Sequence, residues 1–242
     1  MIRQIGFDRV VKLKWAEDLA WRMQAGELDE VELRVALKEV ILMTDLPQSE
    51  TRRKTSTVML RSFVRVSPAH AALRNDLLKL LPKLTVAEAK ALYWGLMLMA
   101  FPLFEDVAVN IGRLIEVQSE APIKLVHRRV VEQWGQRGSL PSSINRVINT
   151  MGEWGLLAVD KKKRLLSPVS SVMLSKEVSL WLAKVVLTIS ETPLLHTEYL
   201  LKPPNCFPFA LGITAQDLIS GPFYMQRFDG KTEYVGLRST PK

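Results

Sequence analysis

Between Ile123 and Pro168 the apolar positions recur first with helical and then with strand-like spacing. Ile123, Val126, Val130 and Trp134 share one face of a predicted helix, and Lys124, Arg128 and Arg129 fall off it. Gly135 and Gly138 end that helix, since glycine enters the left-handed conformations that stop helices. A second helix is predicted from Ser139–Ser142, where serine suits the N-cap and Pro141 the first turn. Ile144, Val147, Ile148 and Met151 form its apolar stripe. Gly155 closes it. Leu156–Val159 and Arg164–Ser167 then read as short strands around a turn at Asp160–Lys163.

Helix, turn, helix, strand, charged turn, strand is the layout of a winged helix-turn-helix, which most often sets its second helix in the major groove of DNA. The polar positions of the second helix are Ser142, Ser143, Asn145, Arg146, Asn149 and Thr150. Arginine and asparagine pair with guanine and adenine edges, and small hydroxyls allow close approach. Lys161, Lys162, Lys163 and Arg164 give the turn four successive cations for flanking phosphates. The module is also used for docking proteins, so an adaptor role stands as the alternative.

Upstream, the pattern is helical almost throughout from Phe7 to Phe104. Gly26 punctuates the first helix. Leu28-Asp29 opens a second carrying Val31, Val35, Leu37, Ile41 and Leu42, and Pro47 closes it. A third is predicted over Glu50–Val66, a fourth over Ala69–Leu81, and a fifth after a capping box at Thr85 and Glu88. A linking helix follows over Phe104–Val117. Ser175–Ile189 reads as an amphipathic helix able to cover the open side of the winged module. TAQDLIS suggests a short helix, and two strands are expected around Asp229-Gly230. The fold class expected is mainly α: a helical bundle over 1–118, a winged helix-turn-helix over 119–172, and a small α/β segment over 173–242.

Charge sharpens this picture. The net charge of +8 is not spread evenly: residues 48–83 and 122–166 each carry +6, and the remaining segments are acidic or near neutral. An acidic partner such as duplex DNA fits two such blocks. In the first block Arg52, Arg53 and Arg61, with Lys54 and Arg65 on the same helix, are candidates to extend the phosphate track. RNA binding by this basic bundle is a third reading.

The 14-residue uncharged run ALYWGLMLMAFPLF is too short for the ~20 residues of a membrane span, and Pro102 interrupts it. It is expected as a buried helix. The N-terminus lacks a secretory pattern, and one cysteine, Cys206, fits a reducing cytoplasm. His70, His127 and His196 stand apart, with no metal-ligand spacing, and no phosphate-binding glycine loop or nucleophile elbow occurs. No cofactor, metal or enzymatic activity is expected.

Four stretches, WAEDLAWRMQAG, ETRRKTSTVMLRSFV, ALYWGLMLMAFPLFEDVAV and INRVINTMGEWGLL, resemble the BrxA-type proteins of bacterial BREX phage-defence systems. The likeness covers about residues 7–160 and rests on apolar and basic patterning rather than on a unique motif. It implies a mostly helical, non-catalytic accessory protein that binds double-stranded DNA, with other defence-system subunits as partners. Homodimerisation is left open, since winged-helix proteins often read paired half-sites but no heptad seam demands it.

Overall fold

The structure is a computed structural model, which describes residues 4–27, 29–228, 230 and 232–238. It is mainly helical, with three small sheets among the described residues. The N-terminal half holds α1 (Leu13–Gln24), α2 (Glu30–Ala36), α3 (Ser49–Phe63), α4 (Pro68–Leu80), α5 (Val86–Ala100) and α6 (Pro102–Gln118). A π-helical turn, Leu37–Ile41, continues α2, and a 3-10 turn, Leu81–Lys83, follows α4.

Helix α5 is the centre of the bundle. Ten of its 15 residues are buried, Ala89 to Met99 excepting Lys90, and a helix apolar on every side must be covered on every side. The Thr85–Glu88 capping box forms at its start. At Phe101 the chain turns extended, Pro102 opens α6, and the two helix axes bend by 120°. Among the described residues no single helix is long and apolar enough to cross a membrane.

Two expectations for this half are corrected. Residues Phe7 to Lys12 are not helical: the chain runs irregularly to Leu13, with Phe7 fully buried 5.0 Å from the Phe101 ring and 5.8 Å from that of Phe104. In the second helix the core stripe is Leu33, Leu37 and Ile41, spaced by four, so Val31 and Val35 stand two residues out of phase and are exposed. Leu28 lies outside the described residues.

The middle of the chain continues with β1 (Ala121–Pro122), α7 (Ile123–Trp134), α8 (Leu140–Glu153), β2 (Leu157–Asp160) and β3 (Leu165–Pro168). The three strands pair antiparallel in the order β1-β3-β2. The pairing of β1 was not anticipated; at two residues it is too short for any alternation to show. Helix α6 packs against α5, against α7, α8, β1 and β3, and against the 3-10 turn Pro204–Cys206. A boundary at 118 therefore separates α6 from elements it packs on.

The tail comprises β4 (Val172–Met173), α9 (Lys176–Ile189), β5 (Leu194–His196), α10 (Thr197–Leu201), β6 (Phe209–Ala210), β7 (Phe223–Phe228) and β8 (Thr232–Leu237). Strand β4 pairs parallel with β6, and the last sheet has the order β5-β8-β7. The expected hairpin closes at Phe228 opposite Thr232, with Gly230 at φ +68°; Asp229 lies outside the described residues. TAQDLIS becomes a 3-10 turn, Ala215–Leu218, capped reciprocally by Thr214 and Asp217.

Helix α9 does not lie mainly across α7 and α8. It packs chiefly on α5 and α4, burying Val178, Trp181, Leu182, Val185 and Val186. Trp181 donates to the Leu73 carbonyl at 2.9 Å, and its ring fills the space over Gly95. Lys184 meets Asp76 at 3.1 Å. One cluster of buried side chains runs through all three regions, from Phe7 to Val235.

Candidate nucleic-acid interface

The apolar stripe of α8 is buried as expected at Ile144, Val147, Ile148 and Met151, joined by Leu140. On the other side Ser142, Asn145 and Asn149 are exposed and Arg146 is half-exposed. Ser143 and Thr150 are corrected: both are buried, at 1% and 0% exposure. Ser143 lies three residues after Leu140 and four before Val147, on the stripe itself. The Thr150 hydroxyl donates to the Arg146 carbonyl at 2.8 Å and accepts the Val11 N–H at 3.1 Å. A small hydroxyl that bonds its own helix satisfies its polarity locally and can be covered. The irregular N-terminal segment covers it, and neither residue can touch a ligand on the open face.

The exposed residues are locally braced. The Ser142 hydroxyl donates to the Ser139 carbonyl at 2.8 Å and accepts from Arg146 Nη1 at 3.2 Å. Asn145 Oδ1 lies 2.9 Å from Nε2 of His127, on α7, which fixes the amide across the two helices. Among the described residues that contact leaves the Asn145 Nδ2 donors without a partner. His127 was missed in the sequence. Its only signal there was a polar position on the preceding helix, and nothing in the spacing tied it to Asn145.

The β2–β3 turn carries its four cations into solvent. Asp160 Oδ1 accepts the backbone N–H groups of Lys162 and Lys163, both at 2.9 Å, so its charge is engaged by the turn itself. Arg164 adopts a left-handed conformation (φ +56°) that returns the chain to β3, and its carbonyl accepts the Ile123 N–H at 3.0 Å. Lys161, Lys162, Lys163 and Arg164 are exposed, and none is ion-paired among the described residues. The turn is tied to α8 underneath: a Cβ on Gly152 would stand 3.4 Å from Val159 Cγ2. Lys124 and Arg128 of α7 are also exposed, Arg128 at 3.8 Å from Glu132.

The second positive block does not extend this surface in the form expected. Arg52 donates to the carbonyls of Leu46 and Pro47 at 2.9 and 2.7 Å, holding the start of α3. Arg53 makes a two-pronged pair with Glu50 at 2.7 and 2.8 Å, and Lys54 joins it at 3.2 Å. These cations hold the Glu50 carboxyl down at about 2. Arg65 pairs with Glu30 at 2.6 Å. Arg61 lies with its guanidinium 4.8 Å from the Phe101 ring centroid, half-buried. Helix α3 packs mainly on α5, the π turn, α2 and α1. Arg52, Arg53, Lys54 and Arg65 are thus engaged by carbonyls and carboxylates of the preceding turn and of α2, whereas Arg61 lies against the Phe101 ring.

Among the described residues no three histidine, cysteine or acidic side chains are grouped to hold a metal ion. Cys206 is buried, and burial pushes its thiol well above the usual range. The chain matches no protein-family model, no curated protein and no solved structure.

Proposed function

We propose that residues 102–168 form a winged helix-turn-helix that binds duplex DNA. In this reading α8 enters the major groove with Asn145, Arg146 and Asn149 toward base edges and Ser142 at the approach. The turn carrying Lys161 to Arg164 lies over flanking phosphates. The observation that carries the reading is the order α6–β1–α7–α8–β2–β3 with strands paired β1-β3-β2, beside four unpaired, exposed cations on the β2–β3 turn. An accessory role in bacterial phage defence rests on the sequence resemblance alone.

Four phosphate contacts from the turn correspond to a log–log salt slope of about −3.6. Mobility shifts on random duplex at two ionic strengths measure it. Changing Lys161, Lys162 and Lys163 together to glutamate should abolish retention of the duplex. Binding that ignores salt, or survives this reversal, sinks the proposal.

A second reading, docking on a larger subunit, is favoured by a different feature. Trp21, Val31, Val35, Val40 and Met43 are all about half or more exposed within one stretch of 23 residues. Apolar side chains gathered in this way mark interaction surfaces more often than isolated ones do. Partner pull-down that persists after the lysine reversal and fails when Val31 and Val35 become serine would favour it.

A further inference from the structure

Arg61 is a half-buried guanidinium with nothing to neutralise it. No hydrogen bond or ion pair to it exists among the described residues, and burial lowers its basicity. Its surroundings are nevertheless specific. One face lies over the Phe101 ring, 4.8 Å from the centroid. Nη1 is packed against Gly6, whose backbone sits at φ +61° and where a Cβ would collide with the guanidinium. A planar cation covered by a ring and by backbone keeps its donors at the edge.

That edge borders a cavity of about 180 Å³ lined by Arg61, Arg65, Val66, Ser67, His70, Met99 and Ala100. Arg65 is committed to Glu30. Among the described residues the Ser67 hydroxyl makes no bond, although the residue stands at the N-cap of α4, and the first turn of α4 holds no acidic side chain. The His70 ring is half-buried, and burial lowers its pKa. Two guanidinium groups, a hydroxyl and an imidazole thus surround a small space, with one carboxylate already taken by Arg65.

We propose that this cavity is an oxyanion site for one phosphate group, with Arg61 as its principal donor and Ser67 and His70 completing the shell. The chemistry is a tetrahedral oxyanion whose acceptors take the Arg61 fork, for which arginine is better shaped than lysine. The group could come from a nucleic-acid backbone or from a free anion. The site stands independently of the role given to α8.

The test uses the full chain with inorganic phosphate, against chloride at matched ionic strength. Isothermal titration calorimetry should give a heat that saturates with added phosphate, as a single site on the folded chain requires. Phosphate also strengthens burial non-specifically, but that effect does not saturate and persists in every variant. Arg61→Gln should weaken the saturable response about tenfold or more, the loss of one charge-assisted hydrogen bond. His70→Gln should weaken it less. Should Arg61→Gln fail to fold, Arg61→Lys keeps the charge without the fork and should still lose affinity. Duplex that displaces phosphate assigns the group to a DNA backbone; phosphate retained beside bound duplex assigns it to a free anion. No saturable response in the wild type, or one unchanged in Arg61→Gln or Arg61→Lys and in His70→Gln, overturns the site whether or not the duplex binds.

Discussion

The Trp154 indole N–H donates to the Val11 carbonyl at 2.9 Å, while the Val11 N–H donates to Thr150 Oγ1 at 3.1 Å. One backbone unit of the N-terminal segment therefore clasps the C-terminal half of α8. The clasp sets which part of that helix stays open, because it covers Thr150 and leaves Asn145 and Asn149 free. It also links the start of the chain to the candidate interface through buried hydrogen bonds.

Thr150→Val tests the clasp. The substitution keeps the shape but leaves the buried Val11 N–H without an acceptor, at a cost of about 1–3 kcal/mol. Denaturant unfolding should show that loss with an unchanged dependence on denaturant. A neutral result would mean that Val11 finds water instead.

The open face of α8 should carry sequence preference. On the proposed function, Asn149→Ala is expected to weaken binding to a preferred duplex by about 1–3 kcal/mol while leaving the salt slope unchanged, as loss of a base contact rather than a phosphate contact would. Lys162→Ala should do the reverse, shifting the slope by about 1 for every sequence tested. Titrations of both variants at several salt concentrations separate the two effects.

In the proposed complex His127 positions Asn145 through their 2.9 Å contact rather than meeting the duplex itself. Removing it in His127→Ala leaves the Asn145 amide free to turn, and affinity should fall roughly 2–10-fold, the worth of one hydrogen bond. The salt slope should stay constant. A fall equal to that of Asn145→Ala, with a changed slope, would instead make His127 a direct phosphate contact.

Acid should loosen the first helix. Asp45 accepts from Trp15 Nε1 at 2.7 Å, from Lys12 at 3.2 Å and from Lys14 at 2.6 Å. The Lys14 contact first, then the Trp15 and Lys12 contacts, hold its carboxyl down at about 2. Its folded pKa lies below the unfolded value of about 3.9, so its contribution is complete above that value and is lost as pH falls through about 2. Tryptophan fluorescence between pH 5 and 2 should show this loss, and Asp45→Asn should flatten it; the pH bounds are approximate, on the order of those two pKa values.

Gly95 is required by packing. A Cβ there would lie 2.5 Å from two atoms of the Trp181 ring. Gly95→Ala should therefore destabilise by about 1–3 kcal/mol despite the better helix propensity of alanine. Pairing it with Trp181→Leu should recover part of the loss, measured as non-additivity of the two unfolding free energies.

The sequence by itself determined the elements whose signals are local. The 3.6-residue stripes placed α7 and α8, the Thr85–Glu88 box placed the start of α5, and Pro102 marked the break that follows it. The lysine run and its exposure were legible too, since four consecutive cations on a turn resist burial. Only the tertiary structure decided which polar residues stay open. Thr150 and Ser143 are covered, Arg61 is sandwiched by Phe101 and Gly6, and α9 lies on α4 and α5 rather than across α7 and α8. The reason is that periodicity assigns a residue to one side of its own helix. What packs against that side comes from segments as much as 143 residues away, as Val11 does for Trp154, and no local pattern encodes that meeting.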